Sequence, residues 1–177
     1  RGKNLTIVGF GRIGQSLAEY AIGCGMNVTA VDMFTEPRNL SIQLGNGISA
    51  SATITPITSL EEGIKNADYI SLHVPKQADG SAVISKKEFA VMKDGVRIAN
   101  AARGGVINED DLLDALNTGK VAGIALDVFE NEPNPRKELL NHPRIACTPH
   151  IGAATGEAQD RIGTELASLI IEKFGTF

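Results

Sequence analysis

The 177-residue sequence predicts an α/β domain built on a doubly wound parallel sheet. Two observations carry that expectation. Apolar runs of strand length recur at residues 5–8, 28–31, 69–73, 96–100, 123–127 and 145–148. Most are apolar at consecutive positions, the pattern of strands buried on both faces. Helix-like segments alternate with them, at 13–23, 60–66, 86–92, 110–117 and 156–173. Strands joined through helices imply right-handed crossovers and a parallel sheet.

The elements follow in chain order. The first strand, at 5–8, runs into Gly9-Phe10-Gly11-Arg12-Ile13-Gly14 and the first helix. The second strand, at 28–31, is closed by Asp32. Residues 33–58, rich in Ser and Thr and holding Pro37, Gly45, Gly47 and Pro56, read as loops with short elements. A weak extended segment is expected there at 49–55. Ser59, with Glu62 three residues on, has capping-box spacing for the next helix. Asn108 precedes Glu109, Asp110 and Asp111, which places acids in a first helical turn, and Gly119 beside Lys120 marks that helix's end. No repeat or linker divides the chain, so residues 1–177 read as one domain.

The run from 5 to 32 is a dinucleotide fingerprint in full context: strand, glycine turn, helix, strand, acid. Gly9 permits the tight turn, Gly11 lets the backbone approach a pyrophosphate, and Gly14 lets the helix pack close to the strand. The helix N-terminus offers N–H groups and partial positive charge to phosphates. Asp32 is placed to accept hydrogen bonds from an adenosine ribose, and its charge would repel a 2′-phosphate. The expected fold is therefore a Rossmann domain that binds NAD rather than NADP.

Composition narrows the partners. With net charge −4, no basic cluster and no Trp, nothing points to nucleic acid. No apolar run is long enough to span a membrane and no signal peptide is visible, so a cytoplasmic location is the default. Cys24 and Cys147 make neither a disulfide framework nor a zinc site and are expected to be buried thiols; no metal-ligand spacing is present.

In such sheets ligands bind beyond the carboxyl ends of the strands. Those ends are His73-Val74-Pro75, then Asn100-Ala101-Ala102-Arg103-Gly104-Gly105, then Asp127 to Glu132-Pro133, then Thr148-Pro149-His150-Ile151-Gly152. An Arg, an acid and a His thus gather on one edge. A His titrates near neutrality and can exchange a hydroxyl proton. A carboxylate can orient it, and an Arg can grip a carboxylate bidentately. Arg103, Glu132 and His150 therefore suit a 2-hydroxy acid or 2-oxo acid. His73 is expected to be a packing or pocket-wall residue, His142 exposed, and Asp110, Asp111 and Asp114 a solvated helix face.

The segments GFGRIG, NAARGGVIN, LDVFENEP and TPHIGAAT resemble the D-isomer-specific 2-hydroxyacid dehydrogenases, in order and over nearly the whole chain. The resemblance implies catalytic roles for Arg103, Glu132 and His150. It also implies that Arg12 and Ile13 flank the pyrophosphate, that Val74 lies along the adenine half, that Ala101 and Asp127 lie near the nicotinamide, with Asp127 taking the carboxamide, and that Gly152 is a cofactor-binding residue. Formate dehydrogenases of this superfamily carry Gln at the position of Glu132, which disfavours that branch. Family subunits have a second, substrate domain. The start at Arg1, just before a strand, suggests a cofactor domain excised from such a two-domain subunit, inactive alone and dimerising through this domain. The LHVP, INEDDLLDAL and HIGAAT stretches look most like phosphoglycerate dehydrogenase, an enzyme of serine biosynthesis. A non-catalytic NAD-dependent corepressor of the same fold is the alternative, and an NADP or S-adenosyl-ligand Rossmann enzyme a more distant one.

Overall fold

A computed structural model of the chain describes residues 1–175. Its main sheet has six parallel strands in the order β2-β1-β5-β6-β7-β8: β1 (Asn4–Val8), β2 (Asn27–Val31), β5 (Tyr69–Leu72), β6 (Val96–Asn100), β7 (Val121–Leu126) and β8 (Ile145–Cys147). The helices are α1 (Arg12–Gly23), α2 (Leu60–Lys65), α3 (Lys86–Val91), α4 (Glu109–Asn117), α5 (Lys137–Leu140) and α6 (Gly156–Phe174). The chain moves outward from β1 to β2, then returns to β1's other side with β5, so the switch point lies between β1 and β5.

β1 shows why both sheet faces are covered. Leu5 and Ile7 join Ala18 and Ala21 of α1 in one apolar cluster. Val8, on the opposite face, belongs to the larger cluster with Ile64, Ile70, Phe89, Leu112 and Leu139. Thr6 shares that second face, and its hydroxyl donates to the Gly63 carbonyl of α2 at 2.7 Å. Alternation along one strand thus feeds two cores. Caps fix two helix starts: Ser59 Oγ accepts from the Glu62 amide at 3.2 Å, and Asn108 Oδ1 from the Asp111 amide at 2.9 Å.

Three expectations need correction. Residues 33–58 hold a separate antiparallel hairpin, β3 (Arg38–Gly45) and β4 (Ile48–Ile54). The weak extended segment falls on β4, and β3 occupies residues expected to be loop. Leu40 and Ile42 alternate with exposed neighbours and are buried, Leu40 in the cluster beneath α1. Asn46 and Gly47, both at positive φ (51° and 75°), make the hairpin turn, and Asn-Gly is the favoured pair for it. The cysteines are exposed rather than buried, since Cys24 sits at the C-cap of α1 and Cys147 in the last strand of the sheet. His142 is half-buried, and its Nδ1 accepts from the Arg144 amide at 3.2 Å.

Among the described residues α6 buries none of its own, and its Glu165 pairs with Arg12 at 3.1 Å. Among the described residues no helix is long and apolar enough to cross a membrane.

Candidate active site

The glycine turn after β1 is held by backbone packed on backbone. Gly9 has φ +94°, and a Cβ there would come within 2.5 Å of the His73 carbonyl oxygen at the end of β5. A Cβ on Gly14 would come within 2.3 Å of the Gly9 carbonyl oxygen, so α1 starts pressed against its own turn. Gly11 differs: a Cβ there would meet nothing, because that side opens into a cleft. The cleft has a volume of about 700 Å³ and is lined by Gly11, Arg12, Ile13, Gly14 and His73, with α6 as its far wall. It lies at the N-terminus of α1, where backbone N–H groups favour an anion. Arg12 and Ile13 are both strongly exposed beside it. Val74 is half-buried and packs against the larger core.

Asp32 is tied to the same turn. Its Oδ2 accepts from the Phe10 amide at 2.6 Å and its Oδ1 from the Phe34 amide at 3.0 Å. A carboxylate has about four acceptor positions, so two remain for a ligand diol. His73 forms a cleft wall, with its Nε2 2.9 Å from Ser71 Oγ, and burial lowers its pKa below the usual histidine value. Burial thus favours the neutral ring.

The second half of the edge is built from carboxylates. Asp127 follows β7 and is almost fully buried. Its Oδ1 accepts from the Thr148 hydroxyl and, at 2.8 Å, from the Ile151 amide; its Oδ2 accepts from the Gly152 amide at 2.8 Å. Burial opposes ionisation, but these three donors outweigh it and hold the carboxyl below the usual aspartate range. Asp127 thereby clamps the loop after β8 onto β7. His150 lies in that loop at φ +55°, a conformation that is uncommon for residues other than glycine. Such a backbone persists where its surroundings over-determine it, and the two amides after His150 supply that constraint.

His150 Nδ1 lies 2.7 Å from Glu132 Oε2. Glu132 Oε1 accepts from the Phe129 amide at 2.8 Å. The His150 ring and the Phe129 amide hold the Glu132 carboxyl below the usual glutamate range. An ionised Glu132 fixes the proton of His150 on Nδ1 and leaves Nε2 for exchange with another group. Beside this pair, Ala101, Asp127, Ile151 and Gly152 line a second hollow of about 340 Å³ between the ends of β6, β7 and β8.

Arg103 sits on the same edge but is not in contact with the pair. Its guanidinium is exposed and donates to the Ala102 carbonyl at 2.6 Å. Its turn is shaped by Asn100, which sequence reasoning placed at a strand end without a role. Asn100 Oδ1 accepts from the Ala102 amide at 3.1 Å and its Nδ2 donates to the Arg103 carbonyl at 3.2 Å. Gly104, in the same strand-end segment, has a packing role that its sequence position does not announce. A Cβ there would fall 1.8 Å from the Phe129 carbonyl oxygen, so the Arg103 turn and the Glu132 loop touch through bare backbone. The only advance signal was that these residues lie at strand ends. Among the described residues no cluster could hold a metal ion.

Comparison with known proteins agrees with this construction. Residues 1–152 match the family described as D-isomer specific 2-hydroxyacid dehydrogenase, NAD binding domain. The chain is 40% identical to a hydroxypyruvate reductase of Thermotoga maritima over 177 residues, covering 98% of this chain and 54% of that protein. It is 41% identical to a D-3-phosphoglycerate dehydrogenase of Bacillus subtilis over 172 residues, covering 97% of this chain and 31% of that protein. A glyoxylate reductase structure from Paecilomyes thermophila superposes with a TM-score of 0.78 at 39% identity, over 93% of this chain and 47% of that one. The chain thus spans about half the length of such relatives, or less. Matched over most of its length by one family and alike in fold, it belongs to the NAD-binding domains of the D-isomer specific 2-hydroxyacid dehydrogenases.

Proposed function

We propose that the protein containing this chain interconverts a 2-hydroxy acid and a 2-oxo acid with NAD. The observation that carries the reading is the 2.7 Å contact between His150 and Glu132 on the sheet edge that also bears the glycine turn. The turn fits a dinucleotide: Gly11 presents an open face that a side chain would fill, and Asp32 keeps acceptor capacity beside it. Bound NAD supplies a hydride acceptor. The remaining roles belong to this chain. His150 takes the hydroxyl proton at Nε2 as the carbonyl forms and returns it in reverse. Glu132 orients the ring through the contact at Nδ1. Arg103, exposed and with guanidinium N–H groups beyond the one on the Ala102 carbonyl, grips the substrate carboxylate. Gly9, Gly11, Gly14, Arg12 and Ile13 hold the pyrophosphate, Val74 borders the adenine half, and Ala101, Asp127 and Gly152 border the nicotinamide. Asp127 has one acceptor position left on Oδ2 for the carboxamide.

Residues 1–177 form the cofactor domain in this reading, and a substrate domain elsewhere in the protein completes the pocket. Phosphoglycerate is the favoured substrate, which would place the enzyme in serine biosynthesis, and the working unit is a cytoplasmic homodimer joined through this domain. The relatives named above are reductases and dehydrogenases, and nothing in them favours a corepressor. The test is calorimetric titration with NAD and with NADP, followed by assay of the whole protein on 3-phosphoglycerate, glycerate and lactate. NAD binding at least tenfold tighter than NADP, and turnover of one 2-hydroxy acid, are expected. Equal binding of both dinucleotides would refute the role of Asp32. Absence of turnover on every acid would refute the enzyme reading.

A further inference from the structure

Glu109 is the first residue of α4, yet it is only 6% exposed. Its Oε1 accepts from the Glu130 amide at 2.8 Å, and Glu130 Oε1 faces the Glu109 amide at 3.4 Å. Its Oε2 is buried and has no hydrogen-bond partner among the described residues. An unpartnered buried carboxylate oxygen is costly and calls for a reason. Helix capping is not that reason. Asn108 already caps α4, and the exposed Asp110 with Asp111 already places acids in its first turn. The engaged oxygen points to another purpose, because Glu130 lies two residues before Glu132.

The contacts around Glu130 converge on that loop. Glu109 holds the Glu130 amide from one side. Gly104, from the Arg103 turn, presses on the Phe129 carbonyl from another. Glu132 folds back onto the Phe129 amide. Resting on the acid–base reading of Glu132 and His150, we infer that Glu109 is a positioning residue: by gripping the Glu130 N–H it sets where the loop presents Glu132 to His150, in register with the Arg103 turn.

The test uses the whole protein that contains this chain. Glu109→Gln keeps an acceptor oxygen for the Glu130 amide, whereas Glu109→Leu keeps the bulk and removes the acceptor. The Leu variant is expected to lose about 10- to 100-fold in kcat, as misplacement by a fraction of an ångström to an ångström does, with KM for NAD within about twofold. The Gln variant is expected to stay within about twofold of wild type. Carboxyl-labelled NMR should show the Glu132 titration moving up in the Leu variant only. Wild-type kcat and an unmoved Glu132 titration in the Leu variant would overturn the inference, even if its Tm fell. Should the Leu variant not fold, Glu109→Asp draws the acceptor back by one methylene; wild-type kcat there would be equally decisive against it. Glu132→Gln in the same assay separates the two claims. Full activity of Glu132→Gln would sink the acid–base reading and leave the Glu132 titration to decide the positioning. A dead Glu132→Gln beside a fully active Glu109→Leu would sink the positioning alone.

Discussion

The two halves of the sheet's carboxyl edge share glycine contacts and carboxylate–amide bonds but lean on them to different degrees, Asp32 in the first half and Gly104 in the second being the shared devices. Around β1 and α1 the structure depends on side chains being absent: Gly9 lies on the His73 carbonyl and Gly14 on the Gly9 carbonyl. Around β7 and β8 it depends on carboxylates that gather amides: Asp127 on Ile151 and Gly152, Glu132 on Phe129, Glu109 on Glu130. The difference follows from the tasks proposed for each. A pyrophosphate is met by backbone N–H groups, so the backbone must come close and a methyl group is the threat. Proton transfer needs titratable groups held at fixed separation, so charge is the material and pH is the threat. The first half, where Asp32 is the carboxylate that holds the turn, should respond less to pH and should not tolerate a Cβ at Gly9 or Gly14. The second should respond to pH and to changes of charge.

The largest expected effect separates chemistry from cofactor binding. His150→Ala in the whole protein should lower kcat by about 10²- to 10⁴-fold, the usual contribution of a positioned acid or base. NAD affinity by calorimetry should stay within about twofold, because His150 is not among the residues proposed to hold the cofactor. A comparable loss of NAD affinity would mean that the two halves are not independent.

Next comes a methyl group in the glycine half. Gly9→Ala places a Cβ 2.5 Å from the His73 carbonyl oxygen in a left-handed backbone. Overpacking and the strained φ together should cost about 2–4 kcal/mol of stability and should weaken NAD binding more than tenfold. Chemical denaturation and calorimetry read both quantities. Unchanged NAD binding would show that the turn relaxes without loss.

The carboxylate half should instead answer to pH. Asp127 ionises below the usual aspartate range when folded. Its contribution to stability is therefore present above the unfolded value of about 3.9 and is lost as pH falls through the lower folded value. Asp127→Asn presents an amide where acceptors are needed, and it should destabilise by about 1–3 kcal/mol at pH 7. The Tm gap from wild type should narrow by pH 3. A gap of constant size would mean that geometry, not charge, holds the loop.

How much of this was legible beforehand depends on the span of each signal. The glycine turn is six consecutive residues, and its meaning is local, so it could be read directly. The strands were readable to within one or two residues because burial on both faces leaves continuous apolar runs. Arg103, Glu132 and His150 could be proposed from their strand-end placement and the resemblance, but the 2.7 Å approach of Glu132 to His150 needs two loops brought together across 18 residues. Glu109 reads as an ordinary first-turn acid because nothing nearby announces that Glu130 is brought against it. β3 was hidden for another reason. Its two buried residues sit among Ser, Asn, Gln and Gly, and the Asn46-Gly47 turn lies in a stretch whose Ser, Thr, Pro and Gly content reads as loop.

That hairpin supplies the smallest test, and it sharpens the comparison most cleanly. Gly47 has φ +75°, in the same left-handed range as Gly9, but a Cβ there would meet nothing within 4 Å. Gly47→Ala therefore adds the conformational cost without the close approach. The expected loss is about 1 kcal/mol, the cost of placing an L-residue in that region, with NAD affinity unchanged. Set against Gly9→Ala, the difference in stability isolates what backbone-on-backbone contact requires at the dinucleotide turn. If the two substitutions cost the same, the turn's glycine serves only its φ angle, and the proximity of the His73 carbonyl carries no weight in building that half of the edge.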